Sequence, residues 1–178
     1  ISLTGTLDTP AKRFDLMLGV NARGTYVASR ACLPHLIAAA KSDRNPHVLT
    51  LAPPPTLDPK WYRDHVAYTL AKVGMSLVTL GMAEEFREQG VACNGLWPRT
   101  VIATAAVAMI PGAQASQQHM RTPEIVADAA HAIVTRDART CTGRFLIDED
   151  VLREEGVIDF DRYAVEPGQP LMPDLFLG

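Results

Sequence analysis

Ala67-Tyr68-Thr69-Leu70-Ala71-Lys72 lies near the middle of the 178-residue chain, and the rest is read outward from it. It sits in a segment, residues 65–87, whose apolar residues Ala67, Leu70, Val73, Leu77, Leu80 and Phe86 recur at helical spacing. A tyrosine and a lysine four apart on a helix share one face, one turn apart. A free phenol has a pKa of about 10, too high for proton transfer at neutral pH. A neighbouring ammonium favours the phenolate, so the pair can act as a poised proton donor and acceptor. The plainer alternative is that Tyr68 packs sideways and Lys72 is solvated. A four-residue spacing does not choose between them, and the surrounding chain has to.

Upstream, Thr9-Pro10 reads as a helix start, a capping threonine with proline at the first helical position. The pattern stays helical to about Ala40, interrupted by Gly19, Asn21 and Gly24, and Pro34 predicts a kink. Residues 42–46 form a turn cluster. His47-Val48-Leu49-Thr50-Leu51-Ala52, stopped by three prolines, reads as a buried strand of a parallel sheet. A loop with Trp61 and Tyr62 leads into the Tyr68 helix, which Gly90 ends. Val91 to Trp97, ended by Pro98, is a second strand candidate. From Arg99 to Arg121 the periodicity is weak and predicts a mobile segment; Thr122-Pro123-Glu124 then opens another helix. Thr142 to Asp148 is a third strand, and the tail from Asp159 is apolar and proline-rich, expected to lie extended on its own or a neighbouring surface. Helices alternating with buried strands predict one α/β domain over residues 1–178, a parallel sheet covered by helices.

Composition narrows the function. Apolar residues make up 47% and charged residues 21% of the chain, as in a globular domain with a real core. A net charge of −3 gives no reason to expect nucleic acid or an anionic membrane as partner. Cys32, Cys93 and Cys141 have no metal-ligand spacing and read as the reduced thiols of a cytoplasmic protein. No apolar run in the sequence approaches the roughly 18 residues of a membrane span. Ile1-Ser2-Leu3-Thr4-Gly5 is neither a signal peptide nor an initiator context, so the chain reads as beginning within a longer protein.

In order and spacing these residues resemble the short-chain dehydrogenase/reductase family over essentially the whole chain. Val20-Asn21-Ala22-Arg23-Gly24 is similar to its V-N-x-x-G in the fourth helix, and Tyr68 to Lys72 to its Y-x-x-x-K. Val91 to Asn94, Pro98 and Thr104 resemble its sixth strand and following loop, and Thr142-Gly143 with Asp148 its last strand. The resemblance implies the C-terminal part of a doubly wound, Rossmann-type domain; the family's glycine-rich phosphate loop is not among these residues.

The resemblance also implies roles. Tyr68 would be the general acid/base, and Lys72 would hold the nicotinamide ribose of NAD or NADP while lowering the phenol's pKa. Asn21 would hold a proton-relaying water, or simply satisfy backbone groups at a helix kink. Pro98 and Thr104 would border the cofactor. Trp97, Tyr62 and Met109 would line an apolar substrate pocket or pack the core, and His65 would touch substrate or begin its helix. Ala52 stands where these enzymes carry a serine that binds the substrate oxygen. Thr50, two residues upstream on the same strand face, lies about 6.5 Å back. The implied activity is hydride transfer between a nicotinamide and a small alcohol or carbonyl compound; the alternative is a catalytically weak or silent member that binds a ligand or partner. Family members pair two helices across a two-fold axis, which implies a homodimer or homotetramer, with Val27, Ala31, Met75, Val78 and Met82 as the expected outer face.

Overall fold

A computed structural model describes residues 2–110 and 112–177. Three parallel strands, β1 (His47–Thr50), β2 (Ala92–Trp97) and β3 (Phe145–Ile147), lie in the order β1-β2-β3. Thr50 stands opposite Gly95, and Gly95 opposite Phe145. The central strand is buried along its whole length, the reason its sequence is a continuous apolar run rather than an alternating one. At Gly95 a Cβ would run into the Phe145 ring and stand 3.2 Å from the Ala52 carbonyl, so only glycine lets the two chains come this close.

Helices cover both faces. On one, α2 (Gly24–Lys41) and α3 (Val66–Glu85) enclose Leu33, Met82, Ala83, Val91 and Cys93. On the other, α5 (Glu124–Thr135) and α6 (Asp148–Glu154) enclose Leu96, Ile125, Ile133 and Val151. The successive residues Val48 and Leu49 go to opposite clusters, as the alternation of a strand requires. The architecture is α/β, as the alternation of elements predicts.

Several local expectations are corrected. Pro10, not Thr9, takes the cap position of α1 (Ala11–Leu18), and the Thr9 hydroxyl donates to the Gly5 carbonyl at 2.8 Å instead. The Gly19 and Asn21 interruption becomes one π-helical turn, Gly19–Arg23, joining α1 to α2 without a break. α2 runs through Pro34, which is solvent-exposed. β1 stops at Thr50 because the Ala52 amide turns back to the Thr50 carbonyl at 2.8 Å. β3 is shorter than expected, since Gly143 turns at φ 74° and Asp148 already belongs to α6. The described residues of the weakly patterned segment 99–121 carry α4 (Ala105–Ala108) and a 3-10 turn, Ala113–His119, and bridges pair Thr100 with Pro173 and Ile102 with Arg121. Finally, α3 is long and apolar enough to cross a membrane by length and composition; 56% of its span is buried inside the protein.

Candidate active site

The site is built on α3. Along one side of this largely apolar helix three buried hydroxyls hold the chain that precedes it. Thr69 donates to the Trp61 carbonyl, Ser76 to the Pro53 carbonyl at 2.6 Å, and Thr79 to the Thr50 hydroxyl at 3.0 Å. Buried hydroxyls need such partners, and here they lock the end of β1 and its following loop against the helix. Thr50 is thereby committed to Thr79. Opposite Gly74, a Cβ would stand 3.0 Å from the Ala22 methyl, so the π-turn lies tight against α3.

Tyr68 is 8% exposed and packs with Met17, Ala71, Trp97 and Phe176. Its cover comes from the tail. Val101 N–H donates to the Met172 carbonyl (2.9 Å), Asp174 N–H to the Arg99 carbonyl (3.1 Å), and Trp97 Nε1–H to the Leu175 carbonyl (2.8 Å). Held this way, the tail lays the Phe176 ring parallel to Tyr68, centroids 6.3 Å apart, and edge-on to Trp97 at 5.6 Å. Phe176 itself adopts φ 71°, a conformation that costs a bulky residue energy and persists only where its surroundings impose it. The extended tail expected from the sequence therefore lies on its own domain, across Tyr68.

Two cavities open beside this cluster. One, about 510 Å³, is lined by Tyr68, Trp97, Val107, Met120 and Asp174 among others; the second, about 600 Å³, by Lys72, Trp97, Pro98, Thr104 and again Asp174. The Lys72 ammonium lies over the Trp97 ring, 5.1 Å from its centroid, and donates to the Leu51 carbonyl at 3.3 Å.

The electrostatics overturn one expectation. Burial pushes the Tyr68 phenol well above its usual pKa, and the Asp174 charge pushes the same way. No lowering by Lys72 accompanies it. The Lys72 ammonium is itself destabilised by burial, with Asp174 partly opposing the shift. Asp174 is raised to about 6, chiefly by burial and slightly by Asp148, against the Leu175 N–H and the Lys72 charge.

The structure brings together Tyr68, Lys72, Trp97, Pro98 and Thr104; the Thr104 hydroxyl also caps α4, accepting from Val107 N–H at 3.3 Å. Asn21 lies in the π-turn and spends its amide on the Met17 carbonyl at 2.9 Å. Three expectations are corrected. Ala52 is fully buried and lines neither cavity, because the turn at the end of β1 carries it into packing near Gly95. Tyr62 lines neither; its phenol closes its own loop by donating to the Thr56 carbonyl at 2.8 Å. Met109 is 83% exposed and lines neither. His65 takes the position before the first turn of α3 without a side-chain cap bond, and its ring meets the Thr69 hydroxyl at 3.1 Å. Sequence reading missed Asp174 and Phe176. Their signal is a single acid, Asp174, in an otherwise apolar stretch, Leu171 to Leu177.

A helix-borne tyrosine and lysine, at the carboxyl ends of parallel strands and flanking an apolar cavity, define a Rossmann-type site. Residues 2–148 match the model of the family described as enoyl-(acyl carrier protein) reductase, and the chain belongs to that short-chain dehydrogenase/reductase family. It is 55% identical to hydroxysteroid dehydrogenase-like protein 2 of Danio rerio over 177 residues, 99% of this chain and 41% of that protein. A crystal structure from Xanthomonas campestris superposes at TM-score 0.93 with 61% identity, covering all of this chain and 63% of that one. The fold is shared more distantly with a 3-ketoacyl-(acyl-carrier-protein) reductase from Brucella melitensis complexed with NADH, at TM-score 0.67 and 22% identity, covering 82% of this chain and 60% of that one. The chain thus spans about two fifths of the curated relative's length.

Proposed function

We propose that the protein is a nicotinamide-dependent oxidoreductase that interconverts an alcohol and a carbonyl compound. The observation that carries this reading is the placing of Tyr68 and Lys72 on one helix, each lining its own cavity, with Trp97 between them. The cavity beside Lys72, Pro98 and Thr104 fits a nicotinamide riboside: an apolar wall for the ring and an ammonium to donate to ribose hydroxyls. NAD or NADP bound there supplies or accepts the hydride. Tyr68 holds the substrate oxygen and exchanges its proton, and Lys72 grips the ribose. Burial keeps the Tyr68 phenol protonated at neutral pH, so it meets the substrate oxygen as a hydrogen-bond donor. NADH in a reductase of the same fold supports the cofactor class.

The test is cofactor binding by the intact protein together with turnover of a panel of alcohols and ketones. Binding with turnover supports the reading. Binding without turnover supports instead a silent member of the family that binds a ligand or partner.

We propose also that the protein assembles as a homodimer or homotetramer. Val66, Leu70, Leu77 and Leu80 of α3 and Tyr26 and Val27 of α2 are exposed, whereas Met75 and Met82, expected outside, are in the core. Light scattering on the intact protein should give a dimer or tetramer mass, and Leu77→Lys should reduce it.

A further inference from the structure

We propose that Asp174 selects substrates by charge: its carboxylate, in the wall of the cavity beside Tyr68, admits uncharged alcohols and ketones and refuses anionic ones. This rests on the oxidoreductase reading above and deepens it.

Among the described residues lining that cavity Asp174 is the one charged group. The remainder of the wall is mostly apolar, with Trp97, Val101, Val107, Ile110 and Met172 prominent. An anion brought there would lose its water and meet a like charge in a poorly screened space. A neutral chain would lose only water from apolar surface.

Backbone and side chain of this residue are both held. Asp174 N–H donates to the Arg99 carbonyl at 3.1 Å, and Asp174 Oδ1 accepts from Leu175 N–H at 2.6 Å. The segment is further anchored by Met172 N–H on the His119 carbonyl, at 2.8 Å, and by Trp97 Nε1–H on the Leu175 carbonyl.

No cation lines the Tyr68 cavity among the described residues, and the one nearby cation offsets the carboxylate only partly. From α3, Lys72 lines the other cavity and sits over the Trp97 ring, its charge opposing but not reversing the upward shift of Asp174, and Tyr68 is a neutral phenol. From the loop after β2, the Arg99 guanidinium is engaged by Asp150 and also lies near Glu149. From α6, Asp148 adds a second negative charge, its Oδ1 occupied by the Arg99 and Glu149 amides. With its pKa raised to about 6, Asp174 is ionised at neutral pH and becomes neutral as the pH falls through that value. The refusal of anions should weaken over the same range.

The test compares octanesulfonamide with octanesulfonate, which stays anionic throughout, binding to the intact protein by titration calorimetry. The expected result at about pH 8 is that the sulfonamide binds at least about tenfold more tightly, falling towards parity at about pH 5. In Asp174→Asn the two should bind within about threefold at both pH values. Equal binding by wild type at about pH 8, binding of neither probe, or a pH-independent preference overturns the proposal. So does a preference that persists in Asp174→Asn of unchanged circular dichroism; should that variant not fold, the wild-type pH series decides alone. Turnover separates the two readings. If the sulfonamide preference is found but no alcohol or ketone is oxidised or reduced, the oxidoreductase assignment fails and the charge selection stands. If neutral ketones and matching keto acids are reduced equally well, the assignment stands and the charge selection fails.

Discussion

The two cavities that meet at Trp97 are of similar size, about 510 and 600 Å³, and share Val107 and Asp174 as well, yet the rest of their walls differ. Regular elements supply much of the Lys72 cavity, with Leu49 on β1 and Val126 and Ala130 on α5, beside the loop residues Leu51, Ile102 and Thr104. The Tyr68 cavity is lined largely by irregular chain, from Val101 to Met120 and from Met172 to Leu175. A strand or helix presents its side chains at intervals set by backbone hydrogen bonds. A loop wall depends on single contacts, such as those that bind the tail to Arg99 and Val101. On the function proposed above, the cofactor would meet more of the regular scaffold and the substrate more of the loops.

That division can be broken from either side. The largest effect is expected from Tyr68→Phe, which removes the proton from the substrate side alone. Turnover should fall by about 10²–10⁴, while cofactor affinity, measured by fluorescence titration, stays within about twofold. Lys72→Ala acts on the other cavity. Losing charge-assisted hydrogen bonds should weaken cofactor binding by about 10–100-fold and lower turnover with it. Equal cofactor affinity in wild type and this variant would leave the two cavities without distinct roles.

The smallest effect is expected at the boundary, in Ala52→Ser. A hydroxyl aimed at the reacting oxygen would change the rate by about 10²–10³. Ala52, however, is enclosed and lines neither cavity, so steady-state turnover should rise by less than about tenfold. A rise of two or more orders of magnitude would show that residue 52 reaches the substrate after all.

The particular residues show where sequence reading worked. α3 was legible because Ala67, Leu70, Val73, Leu77 and Leu80 recur at helical spacing, a consequence of local geometry, although the helix ends at Glu85, short of the turn at Gly90. β2 was legible because a central strand buried on both faces needs a continuous apolar run. The ends were harder. Whether β1 reaches Ala52 depends on one amide turning back to Thr50, and β3 hides in a stretch of only three residues. α6 went unread, although its acidic first turn, Asp148, Glu149 and Asp150, is what a helix N-terminus favours.

The sequence by itself determined the α/β class, the order of the three strands and of the main helices before and between them, and the placing of Tyr68 and Lys72 one turn apart on one helix. All of these follow from interactions between residues near one another in the chain. Only the tertiary structure decided that burial and Asp174 raise the Tyr68 pKa, that Phe176 stacks on that ring, and that Thr50 is committed to Thr79. Phe176 lies more than a hundred residues from Tyr68, and the sign of a pKa shift depends on which distant groups exclude water and which bring charge. That information exists only once the tail has folded back across the sheet.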